Sequence, residues 1–184
     1  ILLTVAEHAS NTLPWFDVAN KVGAIVHYID LDETGSLTLE NVKKAVTEKT
    51  KIIAIAEVTN VLGYDAPMKE ICNYAHEREI IVVADGAQSV PHQVTDVQDT
   101  DIDFLAFSGH KMCGPTGIGV MYGKYDLLKD MKPTRLGGGA NSRYNSCGVV
   151  TLKDPPYRFE AGTPHIEGAI GLATAMQYLM KIGM

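Results

Sequence analysis

Short apolar runs alternate along the chain with segments whose apolar residues recur at helical spacing. The strand-like runs are Ile1 to Val5, Ala24 to Ile29, Ile52 to Val58, Ile80 to Ala84, Asp103 to Phe107 and Ile118 to Tyr122. The helix-like segments between them are Leu13 to Val22, Leu39 to Glu48 with Thr38 as its N-cap, and Pro67 to Glu77. The run from Ile52 is nearly continuous in apolar residues, which is typical of a strand buried on both faces. The alternation predicts an α/β fold, a three-layer α/β/α arrangement around a mostly parallel sheet.

The pattern changes after Gly123. A short helix from Tyr125 to Met131 is followed by a stretch rich in glycine and proline, which predicts a long loop region, and helical periodicity returns from Pro164 to Met184. We therefore divide the chain into a core over 1–123, a loop-rich segment over 124–163 and a helix over 164–184. Because the sequence begins within a strand-like run and ends directly after a helix, we expect it to be a piece of a longer protein.

Composition excludes several classes of protein. The 184 residues are 46% hydrophobic, and the net charge is −6 with no basic run, which argues against a nucleic-acid partner. The apolar runs have the length of strands, so no membrane-spanning segment is predicted. The three cysteines lack CxxC spacing, and the six histidines show neither HxH nor HxxxH spacing. A disulfide framework or a metal site is therefore not expected, and a reducing cytoplasm is the expected compartment.

Polar side chains collect where the predicted strands end. These residues are Glu7 and His8, then Thr59 and Asn60, then Asp85 and Gln88, and finally Ser108, His110 and Lys111. In open α/β sheets, ligands bind at the carboxyl ends of the strands. An amine and a carboxylate at neighbouring strand ends suit pyridoxal phosphate (PLP), because the amine forms a Schiff base with the aldehyde while the carboxylate keeps the pyridine nitrogen protonated.

Each of these residues also has a simpler interpretation. His8 could cap a helix, Asp85 could belong to an ordinary Asp-Gly turn, and Asn60 could sit in a turn as well. Ser108 could cap a helix, and Lys111 could be a solvated surface lysine. Only their joint placement favours a site.

The glycines from Gly114 to Gly119 do not form a nucleotide-binding motif. They lack the Gly-Lys-Ser/Thr ending of a P-loop and the third glycine of a dinucleotide fingerprint. We expect a tight turn that leads into the following strand.

At this point the residues match a known family. The chain resembles the fold-type I PLP enzymes of aminotransferase class V, and most of all the group II cysteine desulfurases, with the selenocysteine lyases beside them. The resemblance is carried, in family order, by Glu7–Asn11 with Pro14 and Trp15, Val58–Gly63, Ala84–Gln88, Ser108–Lys111 through Gly114–Gly117, and Arg158–Pro164.

The resemblance implies roles for the residues that would touch the cofactor ring. Lys111 would form the Schiff base and later carry the α-proton of the substrate. Asp85 would form a salt bridge with the pyridinium nitrogen, His8 would stack on the ring, and Gln88 would hydrogen-bond the phenolate oxygen.

The remaining implied roles concern the phosphate, the substrate and the assembly. Ser108 and His110 would bind the phosphate, and Asn60 would lie near the substrate carboxylate. Thr163 would reach the phosphate of a partner subunit's cofactor, because members of this family are homodimers with shared active sites. The segment 124–163 would then supply dimer contacts, and the helix over 164–184 would lead toward a small C-terminal domain.

The implied reaction converts L-cysteine to L-alanine and leaves the sulfur as an enzyme-bound persulfide for a sulfur-acceptor protein, in iron–sulfur cluster or related cofactor assembly. The family's N-terminal phosphate-binding segment, its sulfur-accepting cysteine and its substrate-binding arginine have no match in this chain. Ala9 and Glu57 stand where some relatives have histidine, which leaves the substrate open.

Three alternatives therefore remain: a selenocysteine lyase, another class V aminotransferase or epimerase, or a non-catalytic truncated domain. We expect little or no desulfurase turnover from the 184 residues alone. None of the local cysteines fits the catalytic role: Cys72 is predicted to be a core thiol, Cys113 mainly structural and Cys147 exposed.

Overall fold

A computed structural model describes residues 1–184. The strands are β1 (Leu2–Thr4), β2 (His27–Ile29), β3 (Ile52–Ala56), β4 (Ile81–Asp85), β5 (Phe104–Ser108), β6 (Gly119–Gly123), β7 (Asn141–Tyr144) and β8 (Val150–Leu152). The α-helices are α1 (Leu13–Val22), α2 (Leu39–Ala45), α3 (Met68–His76), α4 (Val97–Thr100), α5 (Tyr125–Leu128) and α6 (Ile166–Ile182). Single 3-10 turns span Ala9–Asn11, Gly109–Lys111 and Tyr157–Phe159. No helix is both long and apolar enough to cross a lipid bilayer.

Six strands form one sheet in the order β2-β1-β3-β4-β5-β6. All neighbouring pairs are parallel except β5 and β6, which are antiparallel. A parallel partner for β5 would need a crossover of about a dozen residues or more. The connection over 109–118 is too short for one, so β6 returns alongside β5. The predicted α/β fold with a mostly parallel sheet is confirmed.

The core lies between the sheet and the helices α2 and α3. Every residue of β3 after Ile52 is buried, as its continuous apolar pattern predicts. The two helices contribute Val42, Ile71 and Cys72 to the same cluster of buried side chains as Ile53. Cys72 is therefore the core thiol that the sequence predicts, and burial raises its pKa to about 12.

The predicted helices are present in the structure, and their ends differ from the predicted ones by a few residues. Helix α1 has the predicted bounds, and the Thr38 hydroxyl accepts a hydrogen bond from the Asn41 amide at 3.2 Å as the N-cap of α2. Helix α2 ends at Ala45 rather than Glu48, because Val46 adopts an extended conformation.

The predicted long loop was wrong in one part. Residues 141–152 form an antiparallel hairpin, β7 and β8, whose turn is stabilised by hydrogen bonds from the Cys147 and Val149 amides to the side chain of Asn145. Cys147 lies in this turn and is exposed, as predicted.

A cluster of charged side chains lies at the amino ends of the parallel strands, opposite the ends that carry the predicted site residues. The Asp103 carboxylate is buried and accepts a hydrogen bond from the Val82 amide at 2.8 Å. It also contacts His76 Nε2 at 3.0 Å and Lys124 Nζ at 2.9 Å. Lys124 Nζ reaches Asp101 as well, at 2.6 Å. These contacts link α3, β4, β5 and the residue that follows β6.

Replacing Lys124 should therefore destabilise the fold. Lys124→Met removes one of the partners of the buried Asp103 carboxylate. We expect the free energy of unfolding to fall by about 2–3 kcal/mol. This loss is smaller than for a fully buried pair, because Lys124 is partly exposed. The matched control is Lys129→Met, which removes an exposed pair with Asp126 and should cost less than about 0.5 kcal/mol. Equal losses in urea unfolding would contradict a structural role for this cluster.

Candidate functional site

An open cleft of about 570 Å³ lies at the carboxyl ends of the parallel strands. Four strands contribute to it through the residues that follow or end them. The lining includes His8 after β1, Asn60 after β3, Asp85 and Gln88 at the end of β4, and Ser108, His110 and Lys111 at the end of β5. The structure thus brings together seven of the eight residues that the sequence predicts for a site.

Strand register places the amine and the carboxylate on adjacent strands. Asp85 ends β4 and pairs in register with Ala106 of β5, and Lys111 closes the 3-10 turn that follows β5. Both side chains are half-buried, and neither belongs to any of the ion pairs in the structure. The cleft therefore carries an amine and a carboxylate that are both available to a ligand.

The corners at the strand ends depend on close backbone packing. A Cβ atom on Gly86 would lie 2.6 Å from Cδ1 of Leu105, and one on Gly109 would lie 2.8 Å from Cγ2 of Ile118. Cδ1 of Leu172 in α6 is also within 3.3 Å of that second position. No larger residue fits at these glycines without a shift of the packing, so the backbone is closely packed directly after Asp85 and two residues before Lys111.

Some of the simpler interpretations of single residues also hold. Asp85 Oδ1 accepts a hydrogen bond from the Ala87 amide at 2.9 Å, which is a turn contact. His8 Nδ1 accepts one from the Ser10 amide at 3.2 Å and so caps the turn Ala9–Asn11. Each of these local bonds uses one atom of the side chain, and both side chains also line the cleft. Ser108, by contrast, makes no capping bond with its side chain.

Thr163 and Cys113 lie outside the cleft, and so do Glu7 and Thr59 from the strand-end residues. Thr163 is exposed and does not line it, so its predicted role at a partner's cofactor remains a prediction. Cys113 is exposed with φ of 62° and does not line the cleft either, which agrees with the prediction that it has no catalytic role. The left-handed backbone conformation of Cys113 belongs to the turn between Lys111 and Gly114.

Carboxyl groups surround Asp85. Burial raises the pKa of the Glu7 carboxyl above its usual value, and the charge of Asp85 adds to this rise. Burial likewise raises the pKa of Glu57, with Asp65 and Asp85 adding, while a hydrogen bond from the Ser89 hydroxyl opposes the rise. Glu57 thereby contacts the segment that carries Gln88. Ligands with a positive group would relieve the repulsion around Asp85.

Sequence reasoning named Glu7 at a strand end and Asn11 in a matched segment, but it gave neither residue a role in the site. Asn11 lines the cleft, and Glu7 lies behind the wall that Asn11 forms. The signal that could have found them is their spacing of four residues in a short helical turn, which places two side chains on one face.

Comparisons with known proteins agree with this geometry. The profile of the family described as aminotransferase class-V matches residues 1–184. A probable cysteine desulfurase of Halalkalibacterium halodurans is 49% identical over the whole chain, and a cysteine desulfurase of Haloferax volcanii is 45% identical. The chain spans 45% and 43% of the lengths of these two relatives.

Solved structures show the same fold. The cysteine desulfurase CsdA of Escherichia coli superposes with a TM-score of 0.94 at 39% identity, covering 97% of this chain and 45% of that one. A variant of the C–S lyase C-DES, whose structure holds glycine covalently linked to its PLP cofactor, superposes with a TM-score of 0.88 at 25% identity, covering 100% of this chain and 49% of that one. The profile match over the full chain decides the family: this chain belongs to the aminotransferase class-V family.

Proposed function

We propose that this chain is the PLP-binding part of a cysteine desulfurase, which converts L-cysteine to L-alanine and retains the sulfur as a persulfide on a cysteine thiolate. The observation that carries the proposal is that one cleft is lined by the Lys111 amine and the Asp85 carboxylate, neither of which forms an ion pair within the chain. Two curated relatives and the solved structure of CsdA carry the name cysteine desulfurase, which supports the substrate.

The residues that line the cleft fit the cofactor by their chemistry. Lys111 would attach it covalently, and Asp85 would face the ring nitrogen, where a carboxylate favours the protonated form. Gln88 would hydrogen-bond the ring oxygen, and His8 would stack on the ring. When bound, PLP supplies an electron sink for the pair of electrons left at the substrate Cα.

The other assigned residues hold the phosphate and the substrate. Ser108 offers a hydroxyl and His110 an imidazole at the same strand end as Lys111, which suits an anionic group. Asn60, which follows β3, would contact the substrate carboxylate. Thr163 would serve a partner's cofactor in a homodimer, with dimer contacts from the segment 124–163.

Proton transfer would fall to Lys111. Its amine would take the proton from the substrate Cα and return it to the product. Neutral amine is required for this step.

The acceptor of the sulfur is proposed to lie outside these 184 residues. Cys72 is buried, and its pKa of about 12 makes it a poor nucleophile. Cys113 and Cys147 are exposed but do not line the cleft. The relatives are more than twice as long as this chain, which leaves room for the acceptor cysteine. A cytoplasmic location and a sulfur-acceptor protein complete the proposal.

Lys111 can be tested by absorbance. The purified chain with added PLP should develop a visible band that survives dialysis, and Lys111→Ala should lose at least about nine-tenths of it because the covalent attachment is gone. The control Lys132→Ala removes an exposed lysine elsewhere and should keep the band. A band that persists in Lys111→Ala would contradict the assignment, and no band in the unmodified chain would contradict PLP binding by these residues.

The substrate can be tested by product analysis. A protein that carries this chain together with the remaining length of its relatives should form alanine and reducible sulfur from L-cysteine in equal amounts. Its Lys111→Ala variant should lose this activity by about 10³-fold or more, since base and attachment are lost together. Formation of a keto acid or of D-cysteine instead would identify an aminotransferase or an epimerase, and preference for L-selenocysteine would identify a selenocysteine lyase.

A further inference from the structure

The Glu7 carboxyl group joins three separate elements behind the wall of the cleft. Its Oε1 atom accepts a hydrogen bond from the Thr4 hydroxyl at 2.6 Å. Its Oε2 atom accepts two more, from the Asn11 side-chain amide at 2.8 Å and from the Ala56 backbone amide at 2.9 Å. Strand β1, the 3-10 turn Ala9–Asn11 and the end of β3 therefore meet at one carboxyl group.

This junction supports residues that a ligand would touch. His8 and Asn11 line the cleft on either side of the turn, and the hydrogen bonds within the turn are local. The bond from Glu7 to Ala56 joins residues 49 positions apart and ties the turn to the centre of the sheet. Asn11 extends the chain of contacts, because its Oδ1 accepts a hydrogen bond from Trp15 Nε1 at 3.2 Å.

We propose that Glu7 is a positioning residue, whose carboxyl group holds the turn that carries His8 and Asn11 in the place where the cleft needs it. The proposal rests on the proposed function, since the ligand of the cleft is taken to be PLP. Glu7 itself lies behind the wall and does not line the cleft.

The charges around Glu7 give the junction a pH dependence. Burial raises the pKa of Glu7, and the neighbouring charge of Asp85 from β4 raises it further. In the loop after β3, burial raises the pKa of the Tyr64 hydroxyl, and the charge of Glu7 raises it further. Since the folded-state pKa of Glu7 lies above its unfolded value, the protonated form favours folding at low pH, and this contribution is lost as the pH rises through the folded pKa.

Two substitutions of Glu7 distinguish the effect of losing its hydrogen bonds from the effect of losing its charge. Glu7→Gln keeps an amide oxygen that can accept from Asn11 and Ala56, and its NH2 group can donate to Thr4. Glu7→Ala removes all three acceptors and leaves the amide of the buried Ala56 unpaired. Glu48→Ala removes an exposed glutamate and serves as the matched control.

The first measurement is the fluorescence of the chain without cofactor, in which Trp15 is the single tryptophan. Glu7→Ala should shift the emission to longer wavelength, whereas Glu7→Gln and Glu48→Ala should match the unmodified chain. On acid titration the unmodified chain should show a change in Trp15 emission above the usual range of a glutamate, and Glu7→Gln should lack it. Unchanged emission in Glu7→Ala, or a titration that persists in Glu7→Gln, would overturn the proposal.

The second measurement is the affinity for added PLP, read from the absorbance band that depends on Lys111. Glu7→Ala should weaken binding about tenfold, while Glu7→Gln should stay within roughly threefold, because only the alanine variant loses the hydrogen bonds of the turn. Equal affinity of Glu7→Ala and the unmodified chain would sink the positioning role and leave the proposed function intact. Absence of the band in the unmodified chain would sink the proposed function, and the fluorescence result would still decide the role of Glu7.

Circular dichroism establishes that each variant is folded. Should Glu7→Ala fail to fold, the decision passes to Glu7→Gln. Loss of the acid transition together with retained PLP affinity in that variant then supports the proposal, and any other combination overturns it.

Discussion

The parallel pairing of β1, β3, β4 and β5 is the constraint on which the rest of the structure depends. Parallel strands end at the same edge of a sheet, so the residues that follow them converge even when they are far apart in sequence. Asp85 lies in register between Ala56 of β3 and Ala106 of β5. A shift of one residue in either pairing would turn Asp85 to the other face of the sheet and empty the cleft of its carboxylate.

Backbone packing then determines how closely these strand ends approach one another. The positions of Gly86 and Gly109 admit no side chain without displacing Leu105 or Ile118. Tight corners of this kind hold the following residues on short 3-10 or turn segments rather than on mobile loops. The precision of the site therefore comes from the sheet and its corners, and the long segment after Gly123 contributes none of the residues that line the cleft.

The two main charged groups of the cleft have no partners of opposite charge within the chain. Asp85 has two carboxyl neighbours whose pKa values burial raises, Glu7 and Glu57, and it has no cationic partner. Lys111 likewise has no acidic partner. A molecule with a protonated ring nitrogen and a reactive aldehyde would satisfy both groups at once, which is the physical reason for the proposal that the cleft binds PLP. Glu7 in addition accepts hydrogen bonds from β1, from the turn Ala9–Asn11 and from the end of β3.

Sequence alone determined the class of fold, the bounds of α1, the burial of β3 and the identity of most residues at the strand ends. These features depend on short-range patterns, namely hydrophobic periodicity and the residue types that end strands and begin helices. The hairpin of β7 and β8 escaped because its glycine-rich surroundings are also typical of loops. Tertiary structure alone decided the exposure of Cys113 and the joining of Glu7 to Ala56. Each of these depends on register and packing between residues distant in sequence, which no local pattern encodes.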